Sequence, residues 1–155
     1  MGIDLTIRKA ELRDAADIVR FNLLLALETE GLRLEPNVVS AGVEALLQDS
    51  SKGIYFVAES REAVVGQLMI TYEWSDWRNG MILWIQSVYV DQEQRGRGVF
   101  GRLFGHLRQL AVEHPGVCTI RLYMHEQNSQ ARRAYERLGL RQTHYQVFEM
   151  DLDAR

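Results

Sequence analysis

Arginine and glycine alternate near the middle of the chain, at Arg95-Gly96-Arg97-Gly98. A strand-like segment, Met81–Val90, comes before this run, and apolar residues at helical spacing follow it from Val99. The first N–H groups of a helix lack partners inside the helix, and the helix dipole adds partial positive charge there. Glycines at that point let a ligand approach the backbone closely. The pattern predicts an anion site, with phosphate as the favoured anion and with the arginines adding charge.

The same residues also spell a dinucleotide-binding pattern, G-x-G-x-x-G, at Gly96, Gly98 and Gly101. In a dinucleotide-binding turn the glycines leave the strand tightly, whereas here five polar residues separate Val90 from Gly96. The pattern also lies beyond the middle of the chain, so too few strands remain for a nucleotide domain. We therefore favour a different phosphate site, and an ordinary solvated turn is the other alternative.

Length and composition set the class of protein. The chain has 155 residues, which favours a single domain over 1–155, and its net charge of −3 argues against a nucleic-acid surface. Its single cysteine, Cys118, is predicted to be a small core residue, and one cysteine fits a reducing compartment. No metal-ligand spacing, signal pattern or membrane-spanning apolar run is found. These observations favour a cytoplasmic protein that has no metal and no membrane partner.

The elements that must position the glycine-arginine run are predicted from periodicity and turn residues. Strand and helix patterns alternate in the order β-α-α-β-β-β-α-β-α-β-β, which indicates an α/β fold (an α+β mixed sheet) with helices on the faces of the sheet. The predicted strands are Ile3–Arg8, Ile54–Glu59, Val64–Tyr72, Met81–Val90, Thr119–Met124, Leu140–Thr143 and Tyr145–Leu152. The predicted helices are Asp14–Leu27, Val38–Leu47 with Pro36 in its first turn, Val99–Glu113 and Ser129–Leu138.

Two segments resemble a known family. SVYVDQEQRGRGVFGRL, residues 87–103, is similar to the strand, pyrophosphate loop and helix of the GNAT superfamily of acetyl-CoA-dependent N-acetyltransferases. NSQARRAYERLGL, residues 128–140, is similar to the N-x-x-A-x-x-x-Y-x-x-x-G-F segment of the same family. The order of elements matches over essentially the whole chain. Glu93 departs from the family, which usually has Gln or Arg there, so the backbone and the arginines would have to carry the phosphate binding.

The resemblance implies a set of residues that bind acetyl-CoA. The pantetheine arm would pair with the strand at Val88, Tyr89 and Val90. The pyrophosphate would rest on the run Arg95, Gly96, Arg97, Gly98 and Val99, with Phe100 and Gly101 close by. Asn128 would touch the cofactor arm, although a plain helix N-cap is an equal alternative.

The resemblance also assigns the chemistry. Tyr135 would be the general acid that protonates the departing thiolate, although a tyrosine packed in the core is the alternative. Five residues are candidates for the base that deprotonates the amine: Glu28, Glu30, Glu73, His125 and Glu126. Of these, Glu73 and His125 are favoured. A backbone N–H near Val88 would hold the oxyanion. Three residues are assigned to the acceptor pocket: Gln86, Glu28 and Trp84.

The predicted activity is transfer of acetyl from acetyl-CoA to a primary amine of a small molecule by direct attack in a ternary complex. A cysteine far from the predicted thioester disfavours a covalent enzyme intermediate. Acids near the tryptophans, Glu73 and Asp76, favour a cationic acceptor. The alternatives are acetylation of a protein N-terminus or lysine, and a non-catalytic acyl-CoA sensor. The aromatic patch formed by Trp74, Trp77 and Trp84 and the final strand also suggest a homodimer.

Overall fold

A computed structural model describes residues 4–152 of the protein. By its contacts the chain divides after Tyr123 into two compact units, and each is described by itself. The first unit holds a five-stranded sheet and three α-helices, and the second holds one α-helix. The predicted start of the first strand at Ile3 lies outside the described residues.

The elements follow the predicted order as far as the last helix. The strands are β1 Thr6–Lys9, β2 Ile54–Ser60, β3 Ala63–Ser75, β4 Gly80–Val90 and β5 Val117–Leu122. The helices are α1 Ala15–Glu30, α2 Pro36–Gln48, α3 Val99–Glu113 and α4 Ser129–Arg137, with short 3-10 turns at Leu12–Asp14 and Gln92–Gln94. Gly31 ends α1 in the left-handed conformation that favours glycine. Pro36 lies in the first turn of α2, as predicted.

The sheet is mixed, which confirms the predicted fold class. Its strands lie in chain order from β1 to β5; the first four are antiparallel, and β5 runs parallel to β4. Such a parallel connection requires a crossover, and α3 provides it. The β3–β4 turn contains Asn79 in the left-handed conformation, as its Asn-Gly sequence indicates.

Side chains of β2 alternate between two packed faces of the sheet. Tyr55 and Val57 pack in a cluster with Ile18 of α1 and Val43 of α2. Phe56, which points the opposite way, meets the ring of His106 on α3 at 5.3 Å. Helices therefore cover both faces of the sheet, which explains why its central strands carry apolar side chains on both faces.

The two predicted C-terminal strands, Leu140–Thr143 and Tyr145–Leu152, are wrong: residues 140–152 form no strand. Alternation of apolar and polar residues suits a strand, but a strand forms only where a neighbour supplies hydrogen bonds, and sequence does not show the neighbour. The prediction that Cys118 is a core residue is also wrong. Cys118 is exposed because it lies on β5, the last strand of the sheet.

Candidate active site

Strand β4 bulges near its C-terminal end. Gln67 of β3 pairs with Tyr89 and Met69 pairs with Gln86, so two residues of β4 oppose one of β3. Ser87, within the bulge, takes a left-handed backbone with φ +50°. Bulges of this kind re-aim a strand and are common beside active sites.

The edge of β4 that faces β5 has no strand partner in the described residues after Ile85, a stretch that includes the bulge. β5 pairs with β4 only from Met81 to Ile85, while β3 follows β4 as far as Val90. Within residues 4–152, no strand therefore pairs with this edge from residue 86 to 90. This stretch includes Val88, Tyr89 and Val90, the residues predicted to pair with an extended ligand arm.

The glycine-arginine run forms the turn that leads into α3. Gly96 and Gly98 have φ values of +75° and +81°, and a Cβ at either position would meet no atom within 4 Å. Gly98 is the N-cap residue of α3, and no side chain caps the helix there. The first turn of α3 therefore offers backbone donors beside open space, which is the geometry of an anion site.

Gly66 of β3 sets how closely α3 approaches the sheet. A Cβ on Gly66 would lie 2.9 Å from Cγ1 of Val99 and 3.2 Å from the carbonyl oxygen of Tyr89. Val99 is the first residue of α3 and is 2% exposed. The missing side chain lets the start of the helix pack closely against β3.

Glu28 of α1 gathers three donors from β4 and the turn. Its carboxylate accepts hydrogen bonds from the Tyr89 hydroxyl at 2.7 Å, Nε2 of Gln92 at 2.8 Å and Nη2 of Arg95 at 2.7 Å. Burial alone would raise the pKa of Glu28, but these three bonds outweigh burial and hold the pKa below its ordinary value. Glu28, predicted to touch the acceptor, thus ties the turn to α1.

The two arginines of the turn differ in their partners. Arg95 is engaged by Glu28, donates from Nε to the Val90 carbonyl oxygen at 2.9 Å and lies over the Tyr89 ring. Arg97 is exposed and has no ion-pair partner in the described part of the chain. Arg97 is therefore the arginine whose charge remains available to an anion.

A buried polar network lies behind the bulge, and the sequence reasoning missed it. Nε2 of Gln67 donates to Oδ1 of Asn22 at 2.8 Å and to the Ser87 carbonyl oxygen at 3.0 Å, and Asn22 donates to the Tyr55 hydroxyl at 3.0 Å. Gln67 is fully buried, and its Oε1 has no hydrogen-bond partner. Burial raises the pKa of Tyr55, so its hydroxyl stays protonated. The available signal was a lone glutamine inside the apolar run of β3.

Of the residues predicted around the acceptor, Trp84, Gln86 and the base Glu73 share one face of β3, β4 and β5, whereas Glu28 lies on α1. Trp84 pairs with Thr71 and with Arg121 in the sheet register, so their side chains point the same way. Glu73 accepts a hydrogen bond from Nη1 of Arg121 at 2.9 Å, and Nε2 of Gln86 donates to Oγ1 of Thr71 at 2.6 Å. The predicted base Glu73 and the predicted acceptor residues Trp84 and Gln86 therefore lie on one face. The carboxylate of Glu73 is paired with the guanidinium of Arg121.

Aromatic side chains border this face. Trp84 and Tyr123 have ring centroids 6.0 Å apart, and the Arg121 guanidinium lies 6.0 Å from the Trp84 ring. Trp74 and Trp77 are 59% and 90% exposed, so neither belongs to the core. A half-buried Trp84 with two exposed tryptophans at the end of β3 suits contact with a partner molecule.

The second unit carries the other predicted site residues. Asn128 caps α4 by accepting a hydrogen bond from the Ala131 amide at 3.0 Å, which confirms its N-cap role. His125 is exposed, and its Nδ1 accepts a hydrogen bond from the Gln127 amide at 3.3 Å. Tyr135 is half-buried in α4, and burial raises the pKa of its phenol. The phenol therefore keeps its proton at neutral pH.

Residues 4–152 contain no group of three or more His, Cys, Asp or Glu side chains that could hold a metal ion. None of their helices combines the length and apolar character that crossing a bilayer requires.

Comparison with known proteins links this geometry to one family. The sequence model described as the acetyltransferase (GNAT) family matches residues 24–140. A comparison with curated protein sequences gave no match. A possible acetyltransferase from Clostridium difficile 630 shares 43% sequence identity, with 97% of this chain and 99% of that chain covered and a TM-score of 0.91.

Two more distant structures are similar in fold alone. A predicted acetyltransferase from Clostridium acetobutylicum, solved with acetyl-CoA, is 18% identical, with 96% of both chains covered and a TM-score of 0.76. A ribosomal-protein-alanine N-acetyltransferase from Brucella melitensis biovar Abortus 2308 is also 18% identical, with 96% of this chain and 100% of that chain covered and a TM-score of 0.75.

Proposed function

Because the chain belongs to the acetyltransferase (GNAT) family, we propose that it transfers acetyl from acetyl-CoA to a primary amine of a small molecule. One observation carries the proposal: the unpaired stretch of β4 is followed along the chain by a turn with two left-handed glycines and by the uncapped start of α3. An extended arm that ends in a pyrophosphate needs these two features in this order.

The described residues fit acetyl-CoA. The backbone of Val88, Tyr89 and Val90 offers strand-type hydrogen bonding to an amide-bearing arm. The turn at Gly96 and Gly98 leaves open space beside backbone donors, where phosphate oxygens bind well. A relative in fold, the Clostridium acetobutylicum protein, was solved with acetyl-CoA, which supports the same ligand here.

The proposed reaction is a direct transfer. Acetyl-CoA supplies the acetyl thioester, and the ammonium of the acceptor first gives one proton to the base. The neutral amine then forms the C–N bond as the C–S bond breaks; the nitrogen loses its second proton, and CoA leaves as a thiolate that takes up a proton. We propose a backbone N–H near Val88 as the donor to the developing oxyanion. Tyr135 is the proposed proton donor to the thiolate, because it lies in the family segment of residues 128–140 and a phenol carries its proton at neutral pH.

The acceptor is proposed to be cationic before it reacts. Glu73 lies on the face that carries Trp84 and Gln86, and we propose it as the first candidate base, with His125 as the second. The ion pair between Glu73 and Arg121 means that the base would act through a water molecule or after exchanging its partner. A protein N-terminus or lysine is the second candidate acceptor: the exposed Trp74 and Trp77 favour a large partner, and one relative in fold is a ribosomal-protein-alanine N-acetyltransferase.

Ligand binding provides the first test. Thermal unfolding is followed with acetyl-CoA and CoA, with NAD and NADP as controls. A ligand at 100 times its dissociation constant stabilises the folded state by about 2.7 kcal/mol, which corresponds to a shift of roughly 5–10 °C for a chain of this size. A response to NAD without one to acetyl-CoA would refute the proposal and restore the dinucleotide interpretation of Gly96, Gly98 and Gly101.

The proton donor is tested with Tyr135→Phe. We expect turnover of an amine panel, followed by thiol release, to fall while acetyl-CoA affinity stays the same. Tyr145→Phe is the control, because it removes a hydroxyl from an exposed tyrosine outside the family segment. Full turnover by Tyr135→Phe would show that Tyr135 is not the proton donor. If neither the wild-type protein nor any variant turns over an amine, the non-catalytic acyl-CoA sensor is favoured.

We propose that both units belong to one acetyltransferase domain, because the family match over residues 24–140 continues across the division after Tyr123. The single exposed Cys118 fits a reducing compartment, so the cytoplasm is the proposed location. A homodimer is the proposed assembly, because the final apolar segment has no strand partner in the described chain.

A further inference from the structure

Ser87 has a strained backbone in the middle of the β4 bulge. Ser87 and Val88 together oppose Leu68 of β3, and Ser87 has φ +50° although it is not glycine. A left-handed conformation is unfavourable for any residue that carries a Cβ, and it persists only where neighbouring groups hold it. Residues strained in this way are concentrated at active sites. The groups that hold Ser87 therefore bear on the function of the bulge.

Gln67 is the side chain that holds the peptide after Ser87. Its Nε2 atom donates to the Ser87 carbonyl oxygen at 3.0 Å and to Oδ1 of Asn22 on α1 at 2.8 Å. Asn22 in turn donates to the Tyr55 hydroxyl at 3.0 Å. Both hydrogens of the Gln67 amide are therefore used, one on the strand and one on the helix, and the amide has a fixed orientation.

Stability alone does not explain a glutamine at position 67. Gln67 is 0% exposed, and among the described residues its Oε1 atom has no hydrogen-bond partner. A buried acceptor without a partner lowers the stability of the fold. Asp14 is the other buried polar side chain in residues 4–152, and it is paired with Arg8 at 2.8 Å. Local conflicts of the kind seen at Gln67 are expected at functional sites, so this one points to the bulge beside it.

We propose that Gln67 is a positioning residue: by holding the Ser87 carbonyl, it aims the Val88 N–H at the oxyanion that develops during acetyl transfer. The Ser87 carbonyl and the Val88 N–H belong to one planar peptide unit, and in a trans unit they point in opposite directions. A hydrogen bond to the carbonyl therefore fixes the direction of the N–H, which points away from Gln67. Oxyanion donors are effective because they are oriented before the reaction. The inference rests on the proposed function, which assigns the oxyanion to a backbone N–H near Val88.

The first experiment compares Gln67→Met with Val57→Ala in the full-length chain. Methionine has nearly the length of glutamine but no N–H donor. Val57 is also 0% exposed and pairs with Gln67 from β2, one strand further from the bulge. Both variants should lose stability in urea. Only Gln67→Met should lose turnover of the amine panel at saturating acetyl-CoA, by at least tenfold, since removing an oxyanion donor outright costs roughly 10²–10³ in kcat.

The affinity for acetyl-CoA separates the proposed role from a general loss of structure. The oxyanion forms only in the transition state, so the dissociation constant of acetyl-CoA should stay close to the wild-type value in both variants. Equal loss of turnover in Gln67→Met and Val57→Ala would mean that Gln67 acts through stability alone, and it would overturn the proposal. Weaker acetyl-CoA binding in Gln67→Met with an unchanged kcat would overturn it as well.

Asn22 provides a second pair of variants, which keeps the test decisive where Gln67→Met does not fold. Asn22 is half-buried and orients the Gln67 amide by accepting a hydrogen bond from it. Asn22→Leu removes this acceptor, whereas Asn22→Asp keeps an oxygen in its place. Turnover should fall in Asn22→Leu and be largely restored in Asn22→Asp, with acetyl-CoA affinity unchanged in both. Equal turnover by these two variants would contradict the proposed role.

The nuclear magnetic resonance signal of the Val88 amide distinguishes a failure of this inference from a failure of the proposed function. In the protein without ligand, this signal should shift in Gln67→Met or Asn22→Leu and stay in place in Val57→Ala. An unchanged signal in the first two variants would show that Gln67 does not position the amide, even in a protein that acetylates amines. A shifted signal in a protein whose wild type neither binds acetyl-CoA nor acetylates an amine would refute the proposed function, and the catalytic part of the inference with it.

Discussion

Gly98, at the start of α3, permits a test that distinguishes an effect on folding stability from an effect on ligand binding. Gly98→Ala places a methyl group on a backbone with φ +81°, where no atom lies within 4 Å. The cost is therefore backbone strain alone, roughly 1–2 kcal/mol for a left-handed residue that is not glycine. If the backbone relaxes to avoid the strain, the first amides of α3 turn away from the phosphate position. We expect acetyl-CoA binding at least tenfold weaker, which is about 1.4 kcal/mol.

Gly31→Ala is the matched control. Gly31 has φ +66°, a Cβ there would also meet nothing within 4 Å, and it ends α1 rather than starting α3. Urea unfolding should give both variants a similar loss of stability, while calorimetric titration should show weak acetyl-CoA binding only in Gly98→Ala. Two results would refute the reasoning: wild-type affinity in a destabilised Gly98→Ala, or equal loss of affinity in both variants.

Three further predictions concern the side chains that hold β4 and the turn. Gln67→Leu removes the buried side chain that donates to Asn22 and to the Ser87 carbonyl oxygen, so urea unfolding should show a loss of about 1–3 kcal/mol. Unchanged stability would contradict a stabilising role for this network. The lowered pKa of Glu28 means that its carboxylate stabilises the fold above its ordinary pKa and that this contribution is lost as pH falls through the folded value. In Glu28→Gln, the free energy of unfolding should therefore decrease less than in the wild type as the pH is lowered. If the two free energies differ by the same amount at neutral and acid pH, this prediction is wrong. Burial and the Glu28 carboxylate raise the pKa of Tyr89 to about 12, so its contribution is complete below the ordinary value of 10.0 and is lost as pH rises towards 12. The stability of Tyr89→Phe should fall less than that of the wild type as pH rises over this range. In a titration followed by phenolate absorbance, the variant should lack one tyrosine that ionises at high pH. An unchanged titration curve would show that Tyr89 does not ionise in this pH range.

Local pattern was enough to predict most of the fold. The elements from β1 to α4 appear in the predicted order, because period and turn residues identify each of them separately. The bounds shift by a few residues: α1 extends to Glu30, for example, since its left-handed Gly31, not the last apolar residue, ends the helix. The C-terminal strands were wrong because alternation indicates only that a segment could be a strand, while pairing depends on a neighbour.

The site was predictable where it depends on the backbone. A strand, a glycine turn and a helix start were predicted in this order, and Gly96 and Gly98 take left-handed conformations in the turn. Side-chain partners were not predictable. Glu28 lies 67 positions from Arg95 and Gln67 lies 45 positions from Asn22, so only the folded chain brings these pairs together.

The end of β4–β5 pairing at Ile85 has a consequence for the resistance of the protein to proteolysis. The sheet lacks a partner strand along residues 86–90, and the proposed ligand arm would fill that place. With acetyl-CoA bound as proposed, the amides of this stretch would exchange with solvent more slowly, and local opening that admits a protease would become rarer. The supply of acetyl donor would then govern the lifetime of each molecule as well as its rate of turnover.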